Sequence, residues 1–180
     1  MEQVKQLSKL RHLEIDDTQI DDAGLEHIKD LKSLQTLTLR RLFITQDGLA
    51  HLAGLTNMQN LNLRQIGTNN DGLAHLKEMT KLKILDLSET VVGDEGVAHL
   101  TALRNLEDLD LWASFVTDEC TKSLAKMAKL KKLSLEATEI GDEGVKNLAA
   151  LKDLEYLNLT KTKTTATGLD HLAALPKLKE

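Results

Sequence analysis

Aliphatic residues return every 24 positions along this chain, and the register never slips. One series runs Leu10, Leu34, Met58, Leu82, Leu106, Leu130, Leu154 and Leu178. Three places on come Leu13, Leu37, Leu61, Leu85, Leu109, Leu133 and Leu157; five places on come Ile15, Leu39, Leu63, Leu87, Leu111, Leu135 and Leu159. A fixed period of this size predicts a solenoid in which each unit buries its apolar face against its neighbours. The second and third series alternate with polar residues, which predicts a strand with one buried face. A small hydroxyl follows at Thr18, Thr90, Ser114, Thr138 and Thr162, placed to bond loop backbone of an adjacent turn. Asp22, Asn70, Asp94, Asp118 and Asp142 read as helix N-caps, with acidic residues after them to meet the helix dipole. Apolar residues then recur at spacing three, as in Leu25, Ile28 and Leu31, which predicts a short helix with one buried stripe.

Strand, turn and helix within 24 residues resemble the leucine-rich repeat from end to end of the chain. Units such as LEIDDTQIDDAGLEHI and LSLEATEIGDEGVKNL are most similar to the bacterial subtype with Thr at the usual Asn or Cys position. The resemblance implies an α/β fold: a right-handed horseshoe solenoid with a parallel concave sheet of about seven strands and short convex helices. It also implies a protein-binding role, since members mostly bind other proteins and some are adaptors or receptors. Residues 1–180 read as a single array, with 1–9 a partial N-terminal unit, 10–177 seven units and 178–180 the start of an eighth. Met1, Val4 and Leu7 take helix slots of the partial unit. Terminal strands without a capping module invite pairing, so self-association through the ends, or service as the recognition segment of a larger receptor or adaptor, stands as the alternative function.

Composition narrows the partners. The net charge of −5 does not favour nucleic acid. One cysteine, Cys120, excludes an internal disulfide framework. No apolar run is long enough to span a membrane, and the first residues lack a signal-peptide core. The expectation is a cytoplasmic, reducing setting, although a domain cut from a secreted parent reads the same way.

The repeat also frees positions. Side chains two, four, six, seven and nine places after the first leucine should face the concave side or its rim, as ladders of near neighbours. All four aromatics fall there: Trp112, Phe43, Phe115 and Tyr156. Arg40 and Arg64 hold the slot of Trp112 on earlier units, and Arg41 adjoins Arg40. Asp86 and Asp110 lie in the neighbouring ladder, with Asp108 and Glu89 close by. Trp, Tyr and Arg dominate binding hot spots. The reading is a polypeptide ligand with Trp112 as apolar anchor, Phe43 and Phe115 as rim, and Arg40 and Arg64 engaging its carboxylates. The competing reading is internal pairing of Arg64 with Asp86 or Glu89, rim aromatics that merely cover the sheet edge, and repeat drift. Departures from the consensus cluster on the same units: Leu42 and Ile66 replace the hydroxyl, and Cys120 and Thr121 replace the helix Gly and Leu.

Other motifs carry little chemistry. His27, His51, His75, His99 and His171 share one helix slot, but helices 8–10 Å apart cannot bring two imidazoles to one zinc. His12 has no partner set. The pairs Asp94-Glu95, Asp118-Glu119 and Asp142-Glu143 read as a cap plus a first-turn acid rather than a calcium loop. Cys120 reads as a small buried residue rather than a nucleophile. Lys129, Lys131 and Lys132 read as a solvated edge. No enzyme, metal or cofactor is expected.

Overall fold

A computed structural model describes residues 2–179, so Met1 and Glu180 lie outside the described residues. Seven strands form one parallel sheet in sequential order. They are β1 (His12–Glu14), β2 (Thr36–Thr38), β3 (Asn60–Asn62), β4 (Ile84–Asp86), β5 (Asp108–Asp110), β6 (Lys132–Ser134) and β7 (Tyr156–Asn158). Their register advances one repeat per strand: Leu13 faces Leu37, Leu37 faces Leu61, and so on to Leu157. Because side chains alternate across a strand, the central leucines Leu37, Leu61, Leu85, Leu109 and Leu133 point into the solenoid and are buried, while their neighbours face outward.

Short helices return the chain on the other side: α1 (Asp22–Leu25), α2 (Gln46–Ala50), α3 (Asn70–Leu73), α4 (Asp94–His99), α5 (Asp118–Leu124), α6 (Asp142–Leu148) and α7 (Ala166–Asp170). A 3₁₀ turn, Glu2–Gln6, precedes β1; its Val4 packs on the core, whereas Leu7 is exposed. Strand leucines and helix aliphatics from Leu25 to Leu154 make one continuous core.

Two sequence expectations about the turns are corrected. The small hydroxyls bond within their own turn, not to an adjacent one: Thr90 Oγ1 donates to Leu87 O (2.7 Å), Ser114 Oγ to Leu111 O (2.7 Å) and Thr138 Oγ1 to Leu135 O (2.6 Å). Three residues is the reach of a serine or threonine side chain to its own backbone, and each turn fills that bond locally. The N-caps also sit one residue earlier than the spacing implied, at Asp21, Thr45, Asn69, Gly93, Thr117, Gly141 and Thr165.

The residues read as caps do something else. Asp94 reaches the next unit, where it accepts from Thr117 N (2.8 Å), Thr117 Oγ1 (2.7 Å) and Cys120 N (3.2 Å). Asp22, Asn70, Asp118 and Asp142 make the equivalent bond to the backbone N–H of Thr45, Gly93, Gly141 and Thr165. Each side chain is a clamp between consecutive turns, and it satisfies helix-end donors that have no intrahelical partner. A Cβ at Gly48 or Gly144 would collide with the clamp carboxylate of Asp22 or Asp118, which is the spatial reason for the recurrent glycine. At unit two the slot holds Gln46, which makes no such bond among the described residues. The next turn carries Thr68, whose buried hydroxyl has no partner among the described residues.

Each unit also places a residue in the left-handed region directly after the sheet: Asp17, Arg41, Gln65, Glu89, Ala113, Ala137 and Lys161, with φ of 53–57°. None is glycine, so each carries a conformational cost of roughly 1–2 kcal/mol. The N–H of this residue donates to the following unit, as from Glu89 to Trp112 O (2.8 Å) and from Ala113 to Glu136 O (2.9 Å), which offsets the strain.

Candidate protein-binding face

The outward side chains of β1–β7 and of the two residues after each strand tile the sheet face. In its N-terminal half the arginines are already engaged. Arg40 Nε donates to Asp16 Oδ2 (2.8 Å), and Arg40 N donates to Asp16 Oδ1 (2.8 Å). Burial pulls the Asp16 pKa upward, but these bonds from Arg40 outweigh it and hold the carboxyl below its ordinary value. Arg41 makes a two-pronged pair with Asp17. Arg64 donates Nε and Nη2 to Glu89 Oε1 (2.9 and 2.6 Å), and its guanidinium lies 4.8 Å from the centre of the Trp112 ring. Of the two partners open to Arg64 from sequence, the structure selects Glu89.

Asp86 is held by neutral donors: Asn62 Nδ2 (2.9 Å), Ser88 N (2.9 Å) and Ser88 Oγ (2.5 Å). Asp110, its register partner on β5, accepts from Trp112 N (2.9 Å). Among the described residues neither carboxylate has an ion-pair partner, and like charges directly opposite on adjacent strands repel. Burial raises the Asp110 pKa and the charge of Asp86 raises it further, against the lowering by the Trp112 N–H, the Ser134 hydroxyl and the Arg64 charge. Burial likewise raises Asp108, opposed by Lys132, whose Nζ lies 3.9 Å away.

Beyond Asp110 the face opens into a cavity of about 660 Å³ across β5–β7. Trp112 and Tyr156 both line it, together with Asp110, Ser134, Glu136, Asn158 and the lysines Lys131, Lys132 and Lys179. The structure therefore joins three of the sequence-derived residues, Asp110, Trp112 and Tyr156, in one concavity. Asp86 and Arg64 lie beside it. Arg40 and Arg41 are remote, on the second unit.

Phe43 and Phe115 do not enter the cavity. They project from the outer rim, where isolated bridges link Asp21 to Phe43 and Gly93 to Phe115, and they are 78% and 68% exposed. Val91, which takes the same slot between them, is also exposed. Beside Phe43, Gly67 leaves a shallow depression of about 460 Å³. Ser134, Glu136 and Asn158 stand in the outward ladders of the sequence but outside its candidate set, and Val91 was not singled out at all. Their slot numbers were the available signal, since each repeats a chosen slot one or more units away.

The remaining motifs stay structural. Cys120 is fully buried, and burial raises its thiol pKa so far that no reactive thiolate forms near neutral pH. Thr121 Oγ1 donates to Asp118 O (2.5 Å) and accepts from Asn147 Nδ2 (3.0 Å), which accounts for a buried hydroxyl in a leucine slot. Lys131 pairs with Glu107 (2.7 Å) and Lys129 donates to Asn105 Oδ1 (2.7 Å). Among the described residues no group of His, Cys, Asp and Glu is placed to hold a metal, and no helix is long and apolar enough to cross a membrane.

A parallel sheet lining one face of a one-repeat-per-strand solenoid, with polar ladders and two single aromatics, Trp112 and Tyr156, on its open side, defines a repeat-protein scaffold. The family model described as a leucine-rich repeat region matches residues 1–139, and the chain belongs to the leucine-rich-repeat family. That family consists broadly of protein-interaction modules, typically without catalytic activity. No curated protein matches the chain in sequence. Among solved structures it is similar to internalin C2 from Listeria monocytogenes, with TM-score 0.70 and 23% identity over 93% of this chain and 77% of that one. It is also similar to an internalin, inlF, from the same organism, with TM-score 0.52 and 18% identity over 98% of this chain and 68% of that one. These likenesses concern the fold.

Proposed function

We propose that the chain binds a polypeptide on the concave face of its sheet, with Trp112 as the apolar anchor. The observation that carries the reading is the cavity across β5–β7, which sets the molecule's one tryptophan and one tyrosine on the same concavity as Asp110. Aromatic side chains there offer large area at low entropic cost, as at binding hot spots. Arg40 and Arg64 serve mainly to hold the face in shape, since each already has a carboxylate, and Arg41 is occupied by Asp17 in an exposed pair. Phe43, Val91 and Phe115 form a separate apolar rim.

A photo-crosslinking amino acid in place of Ser134 tests the location, with the same residue in place of the exposed Lys146 on α6 as control. Adducts from the Ser134 position alone are the expected result. Adducts from the Lys146 position alone overturn the concave-face reading.

A second reading, assembly through the terminal turns, draws on the exposure of Leu169 and the partial exposure of Leu157 and Leu159. A monomer mass by light scattering that does not change with concentration rejects it.

A further inference from the structure

Resting on the concave-face reading, we infer that the cavity between Trp112 and Tyr156 is a receptor for a cationic side chain, arginine or lysine, of the bound polypeptide. The aromatic walls come first. A tryptophan face attracts a guanidinium or ammonium through its quadrupole. Trp112 already does this within the molecule, where the Arg64 guanidinium sits 4.8 Å from its ring centre. Tyr156 supplies a second aromatic surface two strands away.

The charge balance points the same way. The cavity contains lysines as well as carboxylates, but Lys131 is paired with Glu107 and Lys179 with Glu155, while Lys132 lies 3.9 Å from Asp108. Glu136 lies 3.6 Å from Lys161, an exposed side chain free to swing into solvent. Asp110 has no ion-pair partner among the described residues and faces Asp86 across one strand spacing; its nearby cation is Arg64, already paired with Glu89. Its other neighbours are the Trp112 N–H, which donates to it, and Ser134 on the cavity floor. A guanidinium or ammonium in the cavity would answer the Asp110 carboxylate, which Asp86 repels from beside the cavity, while its flat or methylene surface lies on the aromatic rings. An acidic side chain would meet Asp110 and Glu136 and be refused.

The single tryptophan makes the test direct, because its indole N–H gives one signal in a ¹⁵N-correlated NMR spectrum. The probes are pools of short N-acetylated, C-amidated peptides with one position fixed as arginine, lysine, citrulline, aspartate or leucine. The expected result is that arginine and lysine pools shift the Trp112 indole saturably. Citrulline, which keeps the shape and loses the charge, should bind at least about fivefold more weakly. Asp110→Asn should bring the arginine pool down to the citrulline level, and Asp47→Asn, on the helix edge, should leave it unchanged. Glu136→Gln provides a second cavity variant should Asp110→Asn disturb the backbone spectrum; it should weaken arginine binding in the same direction. If citrulline, aspartate or leucine pools move the indole as strongly as arginine, the cavity binds peptide but the cationic assignment is overturned. If no pool moves it, the concave-face reading falls as well.

Discussion

In the N-terminal half of the sheet face, Arg40, Arg41 and Arg64 are each engaged by a carboxylate of a neighbouring turn, whereas further along Asp86 and Asp110 stand side by side with no ion-pair partner among the described residues. Both regions are ladders of polar slots on the same scaffold, built to the same register. In the first, charges one unit apart have opposite sign and neutralise each other. In the second they have the same sign, and the adjacent turns carry aromatics and a cavity. The difference teaches that a charged residue on a repeat face is available to a ligand only when the next unit fails to answer it.

The largest expected effect separates the regions by binding. Trp112→Ala should weaken binding of a concave-face ligand by more than about tenfold, as for a central aromatic hot spot, while Arg40→Ala changes it less than about threefold. Titration calorimetry with one peptide selected on the wild type measures both, and a larger loss for Arg40→Ala would reverse the comparison.

Next is the response of stability to carboxylate neutralisation, which should have opposite signs in the two regions. Asp16→Asn should lower the melting temperature near pH 7 by about 2–4 °C, since the carboxylate accepts two bonds from Arg40. The Asp16 pKa is lowered on folding, so its contribution is present above the unfolded carboxylate value of about 3.9 and is lost as pH falls through the folded value. The gap between mutant and wild type should therefore close in acid.

Asp110→Asn should raise the melting temperature by up to about 2 °C near neutral pH. Here the pKa is raised on folding, by burial and then by Asp86. The destabilisation is absent below about pH 3.9, grows as pH rises to the folded value, and is complete above it. Melting curves across the acid range check both signs; a destabilised Asp110→Asn at pH 7 would show that Asp110 is not uncompensated.

The smallest effect belongs to Arg41→Ala. Its pair with Asp17 is exposed on both sides, and screening by water leaves such pairs with little net worth. No change in melting temperature beyond measurement error is expected in moderate salt.

Much of the scaffold was legible because it obeys one period. Leu37, Leu61 and Leu85 announce buried strand centres, and spacing-three aliphatics announce the helices, since a solenoid must bury the same slots in every unit. The clamp ladder was half legible. Asp94 and its equivalents were seen to matter at the helix start, but the donor they serve lies in the following unit, and only the stacking distance of the turns reveals it. The left-handed residue after each strand left no trace, because Asp, Arg, Gln, Glu, Ala and Lys occupy it without a glycine. The inter-unit hydrogen bond that holds it there is made by backbone, which carries no residue code.

The candidate face divides in the same way. Which residues point outward followed from alternation along the strand, and Trp112, Tyr156 and Asp110 were found by it. Whether those residues share a site did not, because slots in different units become neighbours only through the sheet. Arg64 had two carboxylates within reach by spacing, and the rim kink decided for Glu89. Phe43 and Phe115 shared a slot class with Trp112 in sequence, yet the turn carries them to the outer edge. The sequence by itself determined the period, the fold and the inventory of outward side chains, because burial of apolar surface acts on every repeat alike. Only the tertiary structure decided which charges cancel and where a concavity remains, because pairing energies depend on distances between turns that the one-dimensional pattern does not contain.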